Sequence, residues 1–144
     1  MRHKDDSKRI AISNAAIELI TTIGFADTSM SKIAKAAKVS PATIYVYFEN
    51  KEDLLNQIFL MVKREYSDAI QAGFDDSLSI EEGFRLMFEN GCRYSLTQPV
   101  RFTFSEQFNH SPLVNRVSRE EGSTYYNTMK DLFERGKKEG ILRD

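Results

Sequence analysis

Cysteine is almost missing from this chain: Cys92 is the only one in 144 residues. No internal disulfide can form, which suits a reducing, cytoplasmic compartment, and a lone thiol reads first as a small buried core residue. Histidine is nearly as scarce, with His3 and His110 alone. There is no H-x-x-x-H, no C-x-x-C and no glycine-rich phosphate loop, so no metal, no cofactor and no enzymatic activity are expected. Ser111 beside His110 is a sequence neighbour and not an activated nucleophile, and Asp75–Asp76 lacks the spacing of a calcium loop. No apolar run approaches the roughly 18 residues that would span a bilayer, and the polar start MRHKDDSKR carries no signal-peptide pattern. Strand-like alternation, internal repeats and low-complexity tracts are also wanting. The class left standing is all-α.

Net charge is -1, which argues against bulk electrostatic binding of nucleic acid. Its distribution is uneven. Residues 1–48 carry Arg2, Lys4, Lys8, Arg9, Lys32, Lys35 and Lys38 against Asp5, Asp6, Glu18 and Asp27, and the remainder is net acidic. A mildly basic head on an acidic body fits local phosphate contact without indiscriminate sticking. The four cations at the start can reach phosphates as a flexible arm, although a frayed, solvated terminus explains them equally well.

The organising stretch is DTSMSKIAKAAKVSPATIYVYFENKED, Asp27 to Asp53. Thr28 or Ser29 can cap a first short helix, in which Met30, Ile33, Ala34 and Ala37 make one apolar stripe. Val39 closes a tight joint. Ser40 caps a second short helix and Pro41 takes its first turn, where a missing N–H is harmless. Ile44, Tyr47 and Phe48 form its inner face, leaving Ala42, Thr43, Tyr45 and Val46 outward with no acid among them. Helices this short are marginal alone. They are built for presentation, as in a helix-turn-helix whose second member enters a DNA groove.

Around this stretch, Ile12, Ala16, Leu19, Ile20 and Ile23 mark a first helix ended by Gly24, and Phe25 is expected to plug the small core with Ile33, Ile44 and Phe48. Asn50 caps a long helix from Lys51 to Ala72, on the order of 33 Å at 1.5 Å per residue. GFDDSLS is a loop, and Ser79 with Glu82 makes a capping box. Phe84, Met87, Phe88, Gly91 and Ser95 then line one helical face beside Tyr94. Pro99 begins another helix with Val100, Phe104 and Phe108. Pro112 to about Lys138 reads as helix with Leu113, Val117, Tyr125, Met129, Leu132, Phe133 and Gly136 inward, kinked or divided at Gly122.

G-F-x-x-T-S followed by IAKAAKVSPATIYVYFENKEDLL resembles the DNA-binding signature of the TetR family of bacterial transcriptional regulators, from about Arg9 to Leu55. The resemblance implies a DNA-binding domain at 1–50 and a helical ligand-binding, dimerising body at 51–144. It places Ala42, Thr43 and Val46 against base edges, Tyr45 and Tyr47 near phosphates, and Lys51 on the backbone. Ser29, Lys32 and Ser40 complete the DNA-binding set. A pocket for a small, mostly apolar effector is implied among Phe84, Phe88, Tyr94, Phe104, Phe108, Tyr125 and Met129. Arg93, Gln107, Asn109, His110 and Asn127 could supply its polar groups. The implied activity is that of a dimeric repressor on a near-palindromic operator of double-stranded DNA, released by the effector, with no membrane involved.

Three departures stand out. Lys38 replaces a turn glycine and is expected to be mildly strained. Ala42 and Tyr47 replace a glycine and a histidine. After the G-x-x-x-G-x-L-R-like stretch that ends here in GILRD, the family continues with two helices that usually pair with a second subunit; they are absent from this sequence, so the body is expected to be incomplete or to dimerise elsewhere. Two other readings fit the same residues: a DNA-binding protein of chromosome organisation or division control without an effector, and a helical carrier of apolar molecules that ignores DNA.

Overall fold

In the computed structural model, residues 2–143 are described, with side chains from Asp6 onward. They form eight α-helices: α1 (Arg2–Ile23), α2 (Met30–Ala36), α3 (Pro41–Tyr47), α4 (Lys51–Gln71), α5 (Ile80–Thr97), α6 (Pro99–Asn109), α7 (Arg116–Thr124) and α8 (Asn127–Lys138). Arg2 and Lys4, half of the expected phosphate-reaching arm, have side chains outside the described residues.

The chain divides into two units. One holds the residues up to Phe59 together with Val100–Asn115; the other holds Leu60–Pro99 and the residues from Arg116. In the first, α1 packs on α2 and α2 on α3. Ile12, Ala16, Ile17, Ile20, Ile33, Ile44 and Phe48 are buried there, along with Leu54, Leu55, Ile58, Phe59, Phe104 and Phe108. Ile23, expected inward, is exposed at the last turn of α1, and Ile17 takes the core instead. Phe25 is only half-buried. Its ring meets the edge of Phe108 at 6.4 Å rather than sealing the helix-turn-helix core.

In the second unit α5 packs on α8, with Ile80, Met87 and Leu132 as core and Phe74, Phe84 and Met129 against them. The capping box is present: Ser79 accepts from the Glu82 N–H at 3.2 Å and Glu82 Oε2 accepts from the Ser79 N–H at 2.9 Å. Those bonds, backbone first, hold the Glu82 carboxyl below the usual carboxylate range.

The face of α5 is rotated from its expected position. Ile80, Gly83, Met87, Asn90 and Tyr94 point inward, while Phe88 is 73% exposed and Cys92 is exposed rather than buried in the core. Asn90 explains the rotation. Its side-chain amide donates to Ile70 O at 3.1 Å and Ala72 O at 2.9 Å, so a polar residue holds an inner position and satisfies the end of α4. Val117, Leu113 and Phe133, also expected inward, are exposed at 70%, 40% and 43%. The expected 112–138 helix is divided at Tyr125–Tyr126 and not at Gly122, which is buried within α7. Tyr125 O accepts from Ser67 Oγ and, at 3.0 Å, from Gln71 Nε2, two partners on α4.

Candidate nucleic-acid interface

The joint between α2 and α3 is built from backbone hydrogen bonds and two caps. Ser29 accepts from the Lys32 N–H and Ser40 from the Thr43 N–H, and Pro41 sits at the first turn of α3. Such caps contribute about 1 kcal/mol each. At the end of α2, Val39 N donates to Ala34 O at 3.0 Å and Lys38 N to Lys35 O at 3.2 Å. Those bonds are a Schellman motif, which needs a left-handed residue at its turn. Lys38 supplies it at φ 58, so the expected strain is present. The same motif ends α8, where Ile141 N bonds Gly136 O and Gly140 takes the left-handed position at φ 69. Lys38→Gly is therefore expected to stabilise the chain by about 1 kcal/mol in urea unfolding, because the Cβ clash of a left-handed residue disappears.

Fixed in this way, α3 turns Ile44 and Phe48 inward at 0% and 1% exposure. Val46 stands 76% exposed and Tyr45 55%, with Ala42 exposed one turn earlier. Thr43 is half-buried, and its Oγ1 lies 2.8 Å from Ser40 Oγ, so its hydroxyl belongs to the cap. Tyr47 is half-buried. The outward face of α3 is uncharged, while Lys32, Lys35 and Lys38 stand exposed on α2 and the joint.

Two of the proposed phosphate-binding lysines are held by the protein itself. Lys32 Nζ donates to Asp27 O at 2.8 Å, and Lys51 Nζ to Phe25 O at 2.8 Å. The Lys51 ammonium also lies 4.2 Å from the centroid of the Phe25 ring, a cation–π contact. Both lysines thus brace the turn between α1 and α2. Sequence reading missed a further set: Arg9 donates to Gln57 Oε1, and Gln57 Nε2 reaches both oxygens of Asp53. Only the i, i+4 spacing of Asp53 and Gln57 could have hinted at it.

The residues named for an effector are not brought together. Phe104 and Phe108 are buried in the first unit, ring to ring at 4.9 Å. The others belong to the second: Phe84 stacks edge-on against Phe133 at 4.8 Å, Tyr94 against Tyr66 at 5.1 Å, Met129 packs on the core and Phe88 faces outward. That unit carries a cleft of about 470 Å³ lined by Phe74, Asp75, Asp76, Thr128, Asp131, Leu132 and Arg135. A second, of about 400 Å³, is lined by Arg64, Ser67, Asp68, Gln71 and Tyr125. Tyr125 carries the Arg64 guanidinium 4.3 Å from its ring; burial raises its phenol pKa above the usual value, with the Glu121 hydrogen bond adding to the shift. Arg93, Gln107, Asn109, His110 and Asn127 line neither cleft.

Two caps, a Schellman turn and a short helix with an uncharged outer face define a helix-turn-helix. A profile of bacterial regulatory proteins of the tetR family matches residues 12–58. The crystal structure of a TetR family transcription regulator from Marinobacter aquaeolei VT8 is similar at 36% identity and a TM-score of 0.91, covering 97% of this chain and 73% of that one. An uncharacterized HTH-type transcriptional regulator of Haemophilus influenzae is 28% identical over 92% of this chain and 70% of its own length. A fatty acid metabolism regulator protein of Bacillus subtilis is 34% identical over 56% of this chain, which spans 41% of it. The chain belongs to the TetR family of bacterial transcriptional regulators, which are DNA-binding proteins and not enzymes. Among the described residues, no helix is long and apolar enough to cross a membrane.

Proposed function

We propose that this protein is a dimeric repressor that reads a near-palindromic operator with α3 and is released by a small, mostly apolar effector. Residues 1–50 bind DNA and residues 51–144 form the regulatory body. The observation that carries the reading is the outward, uncharged face of α3, with Val46 at its most exposed point. Ala42 and Val46 meet thymine methyls, and Tyr45 with Tyr47 reach phosphate oxygens. Two copies set their α3 helices in successive major grooves about 34–36 Å apart. The relative named for fatty acid metabolism makes fatty acids and their derivatives the first effectors to test. Effector binding in the body tilts α4, which has residues in both units, and weakens operator affinity by roughly 5–150-fold.

Selection of duplexes by the intact protein from a random pool, followed by titration with fatty acids and their derivatives, tests both halves. A converged, dyad-related motif is expected, and failure to enrich any sequence would end the DNA-reading claim. Lys51→Ala is expected to flatten the log–log salt dependence of affinity by about one unit. It also costs stability, since Phe25 O loses its donor. A stability loss with an unchanged slope would assign Lys51 to the fold alone.

A further inference from the structure

We propose that Arg9 is a positioning residue for α3, acting through Phe48, Gln57 and Asp53 rather than through a phosphate. This rests on α3 being the reading helix, as argued above. The Arg9 guanidinium lies over the Phe48 ring, 5.7 Å from its centroid, and donates to Gln57 Oε1. Gln57 Nε2 donates to Asp53 Oδ1 and Oδ2 at 3.0 and 2.9 Å. Asp53 Oδ2 accepts the backbone N–H of Glu49 at 2.9 Å, and the Asp53 N–H is taken by Asn50 Oδ1 at 2.8 Å.

Glu49 directly follows Phe48, the C-terminal cap of α3. The chain of bonds therefore runs from α1, across α4, to the residue where α3 ends. It has one polarity. A cation must meet the oxygen of the Gln57 amide so that its nitrogen faces the carboxylate, and the flipped amide would present like to like at both ends. Arg9 fixes the flip and its planar fork lies on Phe48 at the same time, which a lysine ammonium cannot reproduce. The direction in which α3 runs on into α4 is set at those two contacts.

The test uses duplexes selected by the wild-type protein, with Arg9→Ala, Arg9→Lys and Gln57→Leu measured beside it. Each variant is expected to lose about tenfold in affinity for the selected duplex, the worth of one good base contact, while random-sequence affinity and the salt slope stay put. The double variant Arg9→Ala/Gln57→Leu should lose no more than either single one. Without DNA, amide hydrogen exchange at Glu49 should speed up in all of them, a readout that does not depend on DNA recognition. Restoration by Arg9→Lys together with a slope reduced by about one unit in Arg9→Ala would assign Arg9 to a phosphate and overturn the proposal. So would wild-type selectivity in the three variants, or unchanged exchange at Glu49. If the wild-type protein enriches no duplex, the reading of α3 fails instead, and the exchange measurement still decides whether the relay holds the end of α3.

Discussion

Val46→Asp is expected to abolish selective DNA binding while leaving the unfolding midpoint where it is. Val46 is 76% exposed, so the folded chain loses almost nothing by the change. A carboxylate carried into a groove walled by phosphates meets like charge on both sides, which costs several kcal/mol, roughly a hundredfold or more in affinity. Fluorescence anisotropy against a selected duplex, paired with a thermal melt, separates the two effects. Retained binding by a well-folded Val46→Asp protein would remove α3 from the groove. Val46→Ala is the mild counterpart, relaxing base preference with the salt slope intact.

Asn90→Ala is expected to lower stability by about 1–3 kcal/mol, although it deletes no apolar surface. Asn90 is 9% exposed, and its amide serves two carbonyls at the end of α4. Losing both donations leaves the buried Ile70 carbonyl without a partner, which costs about 1–3 kcal/mol, while the Ala72 carbonyl, on an exposed residue, can turn to water. Asn90→Asp sharpens the test. Above its pKa the new carboxylate faces two carbonyl oxygens and can donate to neither, so folding raises that pKa. Part of the stability missing at neutral pH should then return as pH falls through that raised pKa toward the ordinary Asp value of about 3.9, since the protonated carboxyl can donate to one of the two carbonyls. A flat pH response would disconnect Asn90 from the α4 end.

The helix-turn-helix was readable from residues because its determinants are local. Ser29, Ser40, Pro41 and the Met30–Ile33–Ala34 stripe each act within four residues of their partners, and Lys38 announced its own strain. The face of α5 is not legible in the same way, for the opposite reason. Gly83 and Asn90 occupy inner positions that an apolar count passes over, and the count puts Phe88 inward in their stead. Arg9 and Gln57 stand 48 positions apart and meet only once the chain is folded. No periodicity in the residues separates Phe104 and Phe108 of one unit from Phe84 and Met129 of the other.

The interruption between α7 and α8 has a consequence of the same kind. Ordinarily the Tyr125 carbonyl would go to the amide four residues on; here Ser67 and Gln71 take it from outside. The carbonyl that one straight column would use is thus taken by α4. Apolar replacements at Ser67 and Gln71 are expected to hand the carbonyl back to the amide four residues on and extend α8 toward α7, a change that would show as a gain in far-ultraviolet helix signal.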